Sequence, residues 1–231
     1  MGEYRHAHNG FIVPVRDGDA MVVRREQGLE TALAALPLFV PEDRRRVCVE
    51  AGGNWGLWPL RFAEMFETVY TFEPDHECFA SLVYNCRNKA NVVCLQAALG
   101  QAHKLVGLER DVDTTGNQHI NGPGIYPTLC IDDLGLPVCD LIYLDVEGWE
   151  MSALWGAWAT LLRCQPIIVF EATRKLDSQN LTEAYMTKYG YHKLGTIGRD
   201  VVMGPKGPEG EFVTKSYELN GEGALVEVAE C

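Results

Sequence analysis

The chain has 231 residues, enough for one large domain or two small ones, and 47% of them are apolar while 23% are charged. This is ordinary globular composition, so it excludes disorder, collagen and coiled coil as descriptions of the whole chain. The charge balance is unusual, because 32 acidic residues against 20 basic ones leave a formal net charge of −12. Such a charge repels phosphate backbones, which disfavours nucleic acid as a partner.

The N-terminal sequence and the cysteines indicate the cellular compartment in which the protein is expected. Residues 1–6 contain no charged region that leads into an apolar one, so we expect no secretory signal. No run approaches the roughly 18 apolar residues of a membrane span, so we expect no membrane partner. None of the eight cysteines forms a CxxC pair, and most lie in apolar stretches. We therefore predict a cytoplasmic protein with reduced core cysteines, and the sequence assigns no oligomeric state.

Strand-like and helical patterns alternate along the chain. A strand over 46–50 precedes a helix whose apolar residues, from Trp58 to Phe66, recur at helical spacing. A strand over 68–73 precedes a second helix that ends at Cys86, and Asp75 could be its N-cap. The remaining predicted elements, in order, are strand 91–96, an irregular segment 100–127 with short edge strands, strand 141–145, helix 151–162, strand 166–171, helix 181–189 and a hairpin of 191–194 with 201–203.

Several of these strands are continuously apolar, which is typical of a mostly parallel sheet with helices on both faces. We therefore predict an α/β fold with one domain over 45–204 and an antiparallel hairpin at its end. Residues 1–44 are expected to be a lead segment packed on this domain. Residues 205–231 are expected to be a tail that begins as a loop and continues as a strand or arm.

The clearest chemical signal is Glu50-Ala51-Gly52-Gly53-Asn54-Trp55-Gly56, a glycine-rich turn between a predicted strand and a predicted helix. Such a turn brings backbone close to a ligand at the carboxyl edge of a sheet. Glu73 ends the next strand, where an acid can accept hydrogen bonds from both hydroxyls of a ribose. Together the two signals indicate a ligand that contains a nucleoside, and the alternative is a tight turn without a ligand.

The type of ligand follows from the residues of the turn. The dinucleotide fingerprint GxGxxG fails, because Asn54 and Leu57 occupy its second and third glycine positions, and no Gly-Lys-Ser/Thr occurs. An acid at Glu50 would repel a pyrophosphate but suits an ammonium or a sulfonium. S-adenosylmethionine carries both cations, so we predict it as the cofactor.

Six segments, in the same order, resemble motifs of the FkbM-type methyltransferases. They are 49–56 (against D-V-G-A-N-x-G), 72–75 (F-E-P-x), 97–100 (A-L-G), 144–150 (I-D-V-E-G-x-E), 154–157 (V-L-x-G-A) and 166–171 (the fifth strand). The resemblance covers about 45–172 and implies a class I, Rossmann-like methyltransferase fold of seven strands, the last pair antiparallel. It also implies S-adenosylmethionine as methyl donor and, most often, an oxygen acceptor.

Two positions depart from the family motifs: Glu50 replaces the usual Asp, and Tyr143 stands where Lys is common. The compact N-terminal lead and the acidic balance are similar to phage-encoded members.

The candidate cofactor site follows from these segments. We expect the methionyl end at the glycine turn, the ribose at Glu73 and the adenine at the end of the third strand, although Gln96 could equally be a surface residue. The predicted cofactor-binding residues are Glu50, Gly52, Gly53, Asn54, Gly56, Glu73, Pro74, Gln96, Ala97 and Asp145.

The candidate catalytic residues are Asp145 and His119. Methyl transfer to a hydroxyl needs the acceptor aligned with the methyl at about 3 Å and a base for the proton. Asp145 ends the fourth strand, over the transfer site, and His119 in the middle segment is the second candidate. Glu171 could share a divalent cation with Asp145, but we favour a site without metal. Glu147 is interpreted as an acid that complements a helix dipole.

The main functional prediction is a methyltransferase that acts on a hydroxyl of a small molecule or a sugar. The tetrapeptide Asp/Asn/Ser-Pro-Pro-Tyr/Phe/Trp of DNA amino-methyltransferases and the Pro-Cys of cytosine-C5 enzymes are absent, which again disfavours nucleic acid. Two alternatives stay open: a non-catalytic binder of S-adenosylmethionine or a nucleoside, and a nucleotide-dependent oxidoreductase. The sequence does not identify the acceptor.

Overall fold

A computed structural model describes residues 3–111, 113–171, 176–205, 215–220 and 224–228, with backbone only for 176–181, 215 and 219. The α-helices are α1 Asp19–Ala35, α2 Leu57–Phe62, α3 His76–Cys86, α4 Glu150–Trp155, α5 Trp158–Cys164 and α6 Leu176–Lys188, and three 3₁₀ helices cover Leu36–Leu38, Glu42–Arg44 and Ile131–Leu134. The strands are β1 Tyr4–His6, β2 Ile12–Pro14, β3 Val47–Ala51, β4 Thr68–Phe72, β5 Val92–Leu95, β6 Ala98–Leu99, β7 Leu105–Glu109, β8 His119–Pro123, β9 Tyr126–Leu129, β10 Leu141–Leu144, β11 Ile167–Glu171, β12 Tyr191–Ile197, β13 Asp200–Pro205, β14 Lys215–Leu219 and β15 Leu225–Val228.

The main sheet has the order β15-β14-β12-β13-β11-β10-β3-β4-β5. Its half from β5 to β11 is parallel, as the continuously apolar strands predicted. The other half is mixed, because β13 runs antiparallel to both β11 and β12, and β15 runs antiparallel to β14. The fold is thus α/β with the expected hairpin at β12 and β13.

The expectation of seven strands is wrong for this sheet, which has nine among the described residues. The additional strands β14 and β15 lie in the segment 205–231, which we predicted to begin as a loop and to continue as a strand or arm. Strand β14 pairs in parallel with β12, so the sheet continues past the hairpin instead of ending there. The glycine-rich part of that tail, residues 206–214, lies outside the described residues.

Alternate residues of the central strands pack on opposite faces of the sheet. Val49 and Ile142 belong to one apolar core, which residues of α4 and α5 complete. Cys48 and Tyr143 belong to a second core on the other face, together with residues of α1 and α2. Both faces are therefore covered, and the parallel strands are buried from both sides.

The middle segment is more regular than expected. Strands β6 to β9 form a four-stranded sheet in the order β6-β9-β7-β8. The helix predicted over 151–162 is divided into α4 and α5 at Gly156, where a Cβ atom would lie 2.0 Å from the carbonyl oxygen of Gly100. This close approach of two backbones ends α4.

Asp75 is the N-cap of α3, as the sequence suggested, since its Oδ1 accepts hydrogen bonds from the backbone of Glu77 at 2.9 Å and Cys78 at 3.1 Å.

The N-terminal segment packs on the same body. Strands β1 and β2 pair as an antiparallel hairpin, and α1 follows. Val13, Val22 and Leu29 form a third apolar cluster with Trp55 and Leu57.

The seven cysteines within the described residues are free thiols. Among the described helices, none combines the length and the apolar character that crossing a bilayer requires.

Candidate active site

A cavity of about 1310 Å³ opens at the carboxyl ends of β3, β4 and β10. This edge of a parallel sheet is where α/β folds bind ligands. Of the predicted site residues, the cavity is lined by Gly52, Gly53, Asn54, Glu73, Pro74, Ala97, His119 and Asp145. Glu50, Gly56 and Gln96 are not part of the lining.

The glycine turn after β3 is shaped by a backbone contact with the end of β10. Gly52 has a φ of +99°, and a Cβ atom on it would lie 2.1 Å from the carbonyl oxygen of Asp145. A side chain on Gly53 would meet the hydroxyl of Thr71 at 2.4 Å. Asn54 continues the turn with a φ of +46°. The turn can therefore pass this close to Asp145 because Gly52 lacks a side chain, and this close to Thr71 because Gly53 lacks one.

The N–H groups of four residues of the turn already donate within the protein. Those of Gly52 and Gly53 both donate to the carbonyl oxygen of Phe72 at 3.1 Å, and that of Asn54 donates to Glu73 Oε2 at 2.8 Å. The N–H of Gly56 donates to the carbonyl oxygen of Gly53 at 2.8 Å. A phosphate-binding loop points such donors at the anion. This turn does not, which fits a cationic ligand better than a pyrophosphate.

Glu50 lies behind the turn. Its side chain is fully buried, its Oε2 accepts a hydrogen bond from the Thr71 hydroxyl, and its Oε1 has no partner among the described residues. Burial raises the pKa of Glu50 well above its usual range, against the hydrogen bond from Thr71, and the charges of Asp145 and Glu73 raise it further. The structure therefore places Glu50 beneath the cavity floor, where it supports the turn.

Glu73 is placed in the cavity wall, and both of its carboxylate oxygens have backbone partners. Oε2 accepts from Asn54, and Oε1 accepts from the N–H of Asp75 at 2.8 Å. Each carboxylate oxygen has a second lone pair, so ribose hydroxyls can still donate to it. Burial raises the pKa of Glu73 to about 7 although these two N–H groups lower it. Gln96, predicted near the adenine, is exposed at the surface instead.

Acidic side chains gather at the ends of β10 and β11. Carboxylate oxygens of Asp145, Glu147 and Glu171 lie within 4.8 Å of one another. Asp200, at the start of β13, also lines the cavity, and its Oδ2 accepts a hydrogen bond of 2.6 Å from the Tyr143 hydroxyl. Tyr143, which stands where Lys is common in the resembling family, thus holds one member of this acidic cluster.

Three acids at this edge of the sheet have raised pKa values. Burial raises the pKa of Asp145 well above its usual range, and the charges of Glu171, Asp200 and Glu147 add to this. Burial together with Glu171 raises the pKa of Glu147 to about 7. Burial likewise raises the pKa of Asp200 to about 6. Carboxyl groups in this range can exchange a proton near neutral pH, as a general base must.

Glu147 was interpreted from the sequence as a plain helix-dipole residue, and the structure shows two further properties. Its side chain is in the cavity wall, and its backbone is in the left-handed region with a φ of +50°. A residue other than glycine occupies that region at a cost, and such residues concentrate at functional sites. Its position directly after the D-V of the sequence motif is the signal that could have identified it.

His119, the second candidate base, is at the start of β8. Its Nε2 lies 3.4 Å from Oε2 of Glu109 on the neighbouring strand β7, and roughly half of its side chain is exposed. The ring contributes to the cavity wall from the middle segment. The structure thus places the two candidate bases on different elements of one cavity, Asp145 after β10 and His119 on β8, and His119 is close enough to Glu147 to lower the pKa of that acid.

A buried aspartate that the sequence did not single out joins three parts of the site. Asp17 is fully buried and accepts hydrogen bonds from Arg25 Nη1 at 3.1 Å, Trp55 Nε1 at 3.0 Å and the backbone of Thr115 at 2.8 Å. The Asn54 side chain in turn donates to the Thr115 carbonyl at 3.2 Å. The N-terminal segment and the middle segment are therefore fastened to the glycine turn. No motif spacing marks Asp17, because its partners are distant in sequence.

Solved structures similar to this chain include three with TM-scores below 0.5. The Methyltransferase FkbM from Methylobacillus flagellatus KT is 20% identical with a TM-score of 0.49, and the match covers 70% of this chain but only 43% of that protein. A Streptococcus mutans protein assigned as a methyltransferase, in complex with SAH, is 10% identical with a TM-score of 0.47 and coverages of 73% and 97%. Precorrin 8W decarboxylase from Methanobacterium thermoautotrophicum is 12% identical with a TM-score of 0.43 and coverages of 85% and 83%.

The sequence itself gives the stronger comparison. A search among curated protein sequences finds no match. The profile of the methyltransferase FkbM domain matches residues 48–193, which is more than half of the chain and includes β3, β4, β10 and β11 with the turns that line the cavity. The chain therefore belongs to the FkbM methyltransferase domain family.

Proposed function

We propose that this protein transfers a methyl group from S-adenosylmethionine to a hydroxyl oxygen of a small molecule or a sugar. The observation that carries the proposal is one cavity, in a chain of a methyltransferase family, whose wall combines the glycine turn, Glu73 and Asp145. When bound, the cofactor supplies a methyl group activated by a sulfonium. The residues described above then have to hold a cation, a ribose and an acceptor.

The residues present fit such a cofactor. Gly52 and Gly53 allow the turn to pack against the backbone of Asp145 and the hydroxyl of Thr71 at the cavity wall, and their N–H groups already donate to the carbonyl oxygen of Phe72. Asp145 lies against this turn and offers negative charge toward a sulfonium or an ammonium. Glu73 would accept from the ribose, and Ala97, at the end of the β5 segment, offers an apolar surface toward the adenine.

We assign proton removal from the acceptor hydroxyl to Asp145. Its carboxyl lies at the end of β10 beside the turn, and its raised pKa makes it a stronger base than an ordinary aspartate once it is ionised. Glu171, Asp200 and Glu147 surround it and raise that pKa. Tyr143 holds Asp200 in place, so the family's usual Lys at this position has been exchanged for a donor that acts on a neighbouring acid.

The first test separates the cofactor classes. We expect titration calorimetry to show binding of S-adenosylmethionine and no comparable binding of NAD, because the N–H groups of Gly52, Gly53 and Asn54 already donate within the protein and do not point at a pyrophosphate. Tight binding of NAD without binding of S-adenosylmethionine would make the oxidoreductase alternative correct.

The second test separates an enzyme from a binder. Candidate hydroxyl acceptors are screened with isotopically labelled methyl donor, and methylated products are read by mass spectrometry. Asp145→Asn should lower turnover at saturating cofactor by about 10²- to 10⁴-fold, the usual contribution of a general base. Asp43→Asn, at an exposed residue outside the cavity lining, is the matched control. Binding of the cofactor without methylation of any acceptor would support the non-catalytic alternative, and a requirement for added Mg²⁺ would contradict the metal-free site.

A further inference from the structure

Three side chains of metal-ligand type meet at the surface, outside the cavity. His103 offers a ring nitrogen, Cys130 a thiol and Asp133 a carboxylate oxygen, and these atoms lie within 4.8 Å of one another. The Nε2 of His103 is 2.7 Å from Oδ2 of Asp133. None of the three residues lines the cavity, so this group is separate from the candidate active site.

The local backbone holds two of the donors together. Cys130 precedes the 3₁₀ helix Ile131–Leu134, and Asp133 is the third residue of that helix. Oδ2 of Asp133 accepts the N–H of Cys130 at 2.7 Å, while the thiol sulfur accepts the N–H of Asp133. The spacing Cys-x-x-Asp therefore places a sulfur and a carboxylate on one turn, in the way that Cys-x-x-Cys places two sulfurs.

The third donor is brought to this turn by the small sheet. Strand β6 pairs in parallel with β9, so the segment after Leu99 runs beside the segment after Leu129. Thr128 Oγ1 accepts the N–H of Lys104 at 2.9 Å and fixes the residue next to His103. The carboxylate of the adjacent Asp132 does not join this group, because it accepts hydrogen bonds from the backbone N–H groups of Ala159 and Thr160 at 2.8 Å. Asp133 is the acid of this pair that points at His103 and Cys130.

We propose that His103, Cys130 and Asp133 form a binding site for a divalent transition metal, with Zn²⁺ as the cation that fits best. Imidazole, thiolate and carboxylate are its usual ligands, and three protein ligands leave a fourth position for water or another molecule. Thiolate and imidazole favour zinc over magnesium and calcium. The acidic cluster at Asp145 has oxygen donors alone and would favour the harder cations, so the two groups differ in selectivity.

Metal binding changes the distance between His103 and Asp133 and removes the thiol proton of Cys130. Bonds of about 2.0–2.1 Å in a tetrahedron place a nitrogen and an oxygen roughly 3.3 Å apart, so His103 Nε2 and Asp133 Oδ2 must separate by about 0.6 Å. The His103 side chain is 67% exposed and can turn. Burial and the charges of Asp133 and Asp132 raise the pKa of the Cys130 thiol, so the metal must displace the thiol proton when it binds.

The test titrates ZnCl₂ into the full chain under reducing conditions and follows heat and the thermal midpoint. We expect one Zn²⁺ per chain, a raised midpoint, and, with Co²⁺ as a spectroscopic substitute, an absorption band from cobalt–thiolate charge transfer. Cys130→Ser and His103→Ala should each weaken Zn²⁺ binding by more than about tenfold, since even second-shell changes cost that much. Cys164→Ser, at another half-buried thiol, is the matched control and should bind as the unmodified chain does.

Three results would overturn the proposal. The first is the absence of Zn²⁺ binding, and the second is binding that Cys130→Ser leaves unchanged. The third is Zn²⁺ binding that Asp145→Asn abolishes while Cys130→Ser does not, because this would place the metal in the acidic cluster. None of these measurements depends on methyl transfer, so the proposal stands or fails independently of the proposed function.

Discussion

Gly52→Ala is the substitution for which the structure gives the sharpest expectation. Gly52 is the first residue after β3, its φ is +99°, and a Cβ atom on it would lie 2.1 Å from the carbonyl oxygen of Asp145. Ordinary contacts of a Cβ atom begin at about 3.4 Å, so the turn and the end of β10 would have to separate by about 1.3 Å. The change therefore acts on the geometry between the cofactor-binding turn and the candidate base.

The expected magnitude has two parts. A left-handed backbone costs an alanine about 1–2 kcal/mol. Overpacking against a backbone atom that can move only with its strand costs about 1–3 kcal/mol more. Gly52→Ala should thus lower the free energy of unfolding by about 2–5 kcal/mol. A displacement of about 1 Å between reacting groups can also cost about 10²-fold in rate, so activity should fall further than stability alone explains.

Gly190→Ala separates the two parts. Gly190 has a similar φ of +81°, but a Cβ atom there has nothing within 4 Å. Urea unfolding should therefore show only the backbone cost of about 1–2 kcal/mol for this control, and calorimetry should show unchanged binding of S-adenosylmethionine. If Gly52→Ala unfolds at the same urea concentration as Gly190→Ala and binds the cofactor equally well, the contact with Asp145 does not shape the site.

Three further expectations concern protonation and the buried network. The pKa of Glu73 is raised from 4.5 to about 7, so the folded chain binds this proton more tightly than the unfolded chain does. The free energy of unfolding should therefore fall by up to about 3 kcal/mol as the pH rises from 4.5 to 7. Urea melts of Glu73→Gln should show no such dependence on pH from this residue. Asp17→Asn should lower the free energy of unfolding by about 3–5 kcal/mol, because it leaves the guanidinium of Arg25 without its charge partner; a loss below about 1 kcal/mol in a urea melt would contradict this. Tyr143→Phe removes a hydrogen bond that lowers the pKa of Asp200, which should therefore rise above about 6 in an NMR titration; an unchanged pKa would show that the bond does not control this acid.

The parts of the fold that followed from sequence are those decided by short-range pattern. Continuously apolar strands such as Leu141–Leu144 predict a sheet covered on both faces, and the parallel half of the sheet confirms it. The glycine turn was recognisable because its spacing and flanking acids are local. The location of this turn and of Glu73 at one edge of the sheet then follows from strand direction alone.

The parts that did not follow depend on contacts between distant residues. The break between α4 and α5 arises where Gly156 meets the carbonyl of Gly100, which no helix pattern records. Asp17 is buried with donors from residues 55 and 115, and Glu50 lies outside the cavity lining, where it accepts a hydrogen bond from Thr71. Such assignments need the tertiary structure, since residue type and spacing are compatible with either outcome.

The raised pKa values of the site lead to a prediction about cofactor binding itself. Asp145 and Glu147 hold protons more tightly than ordinary carboxyls because they are buried and close to other acids. A cation bound beside them would lower both pKa values, since opposite charge favours the ionised form. Binding of S-adenosylmethionine near pH 7 should therefore release protons from this pair and increase the ionised fraction of Asp145. Calorimetry in buffers of different ionisation enthalpy measures this release directly, and a binding heat that is independent of the buffer would refute the coupling.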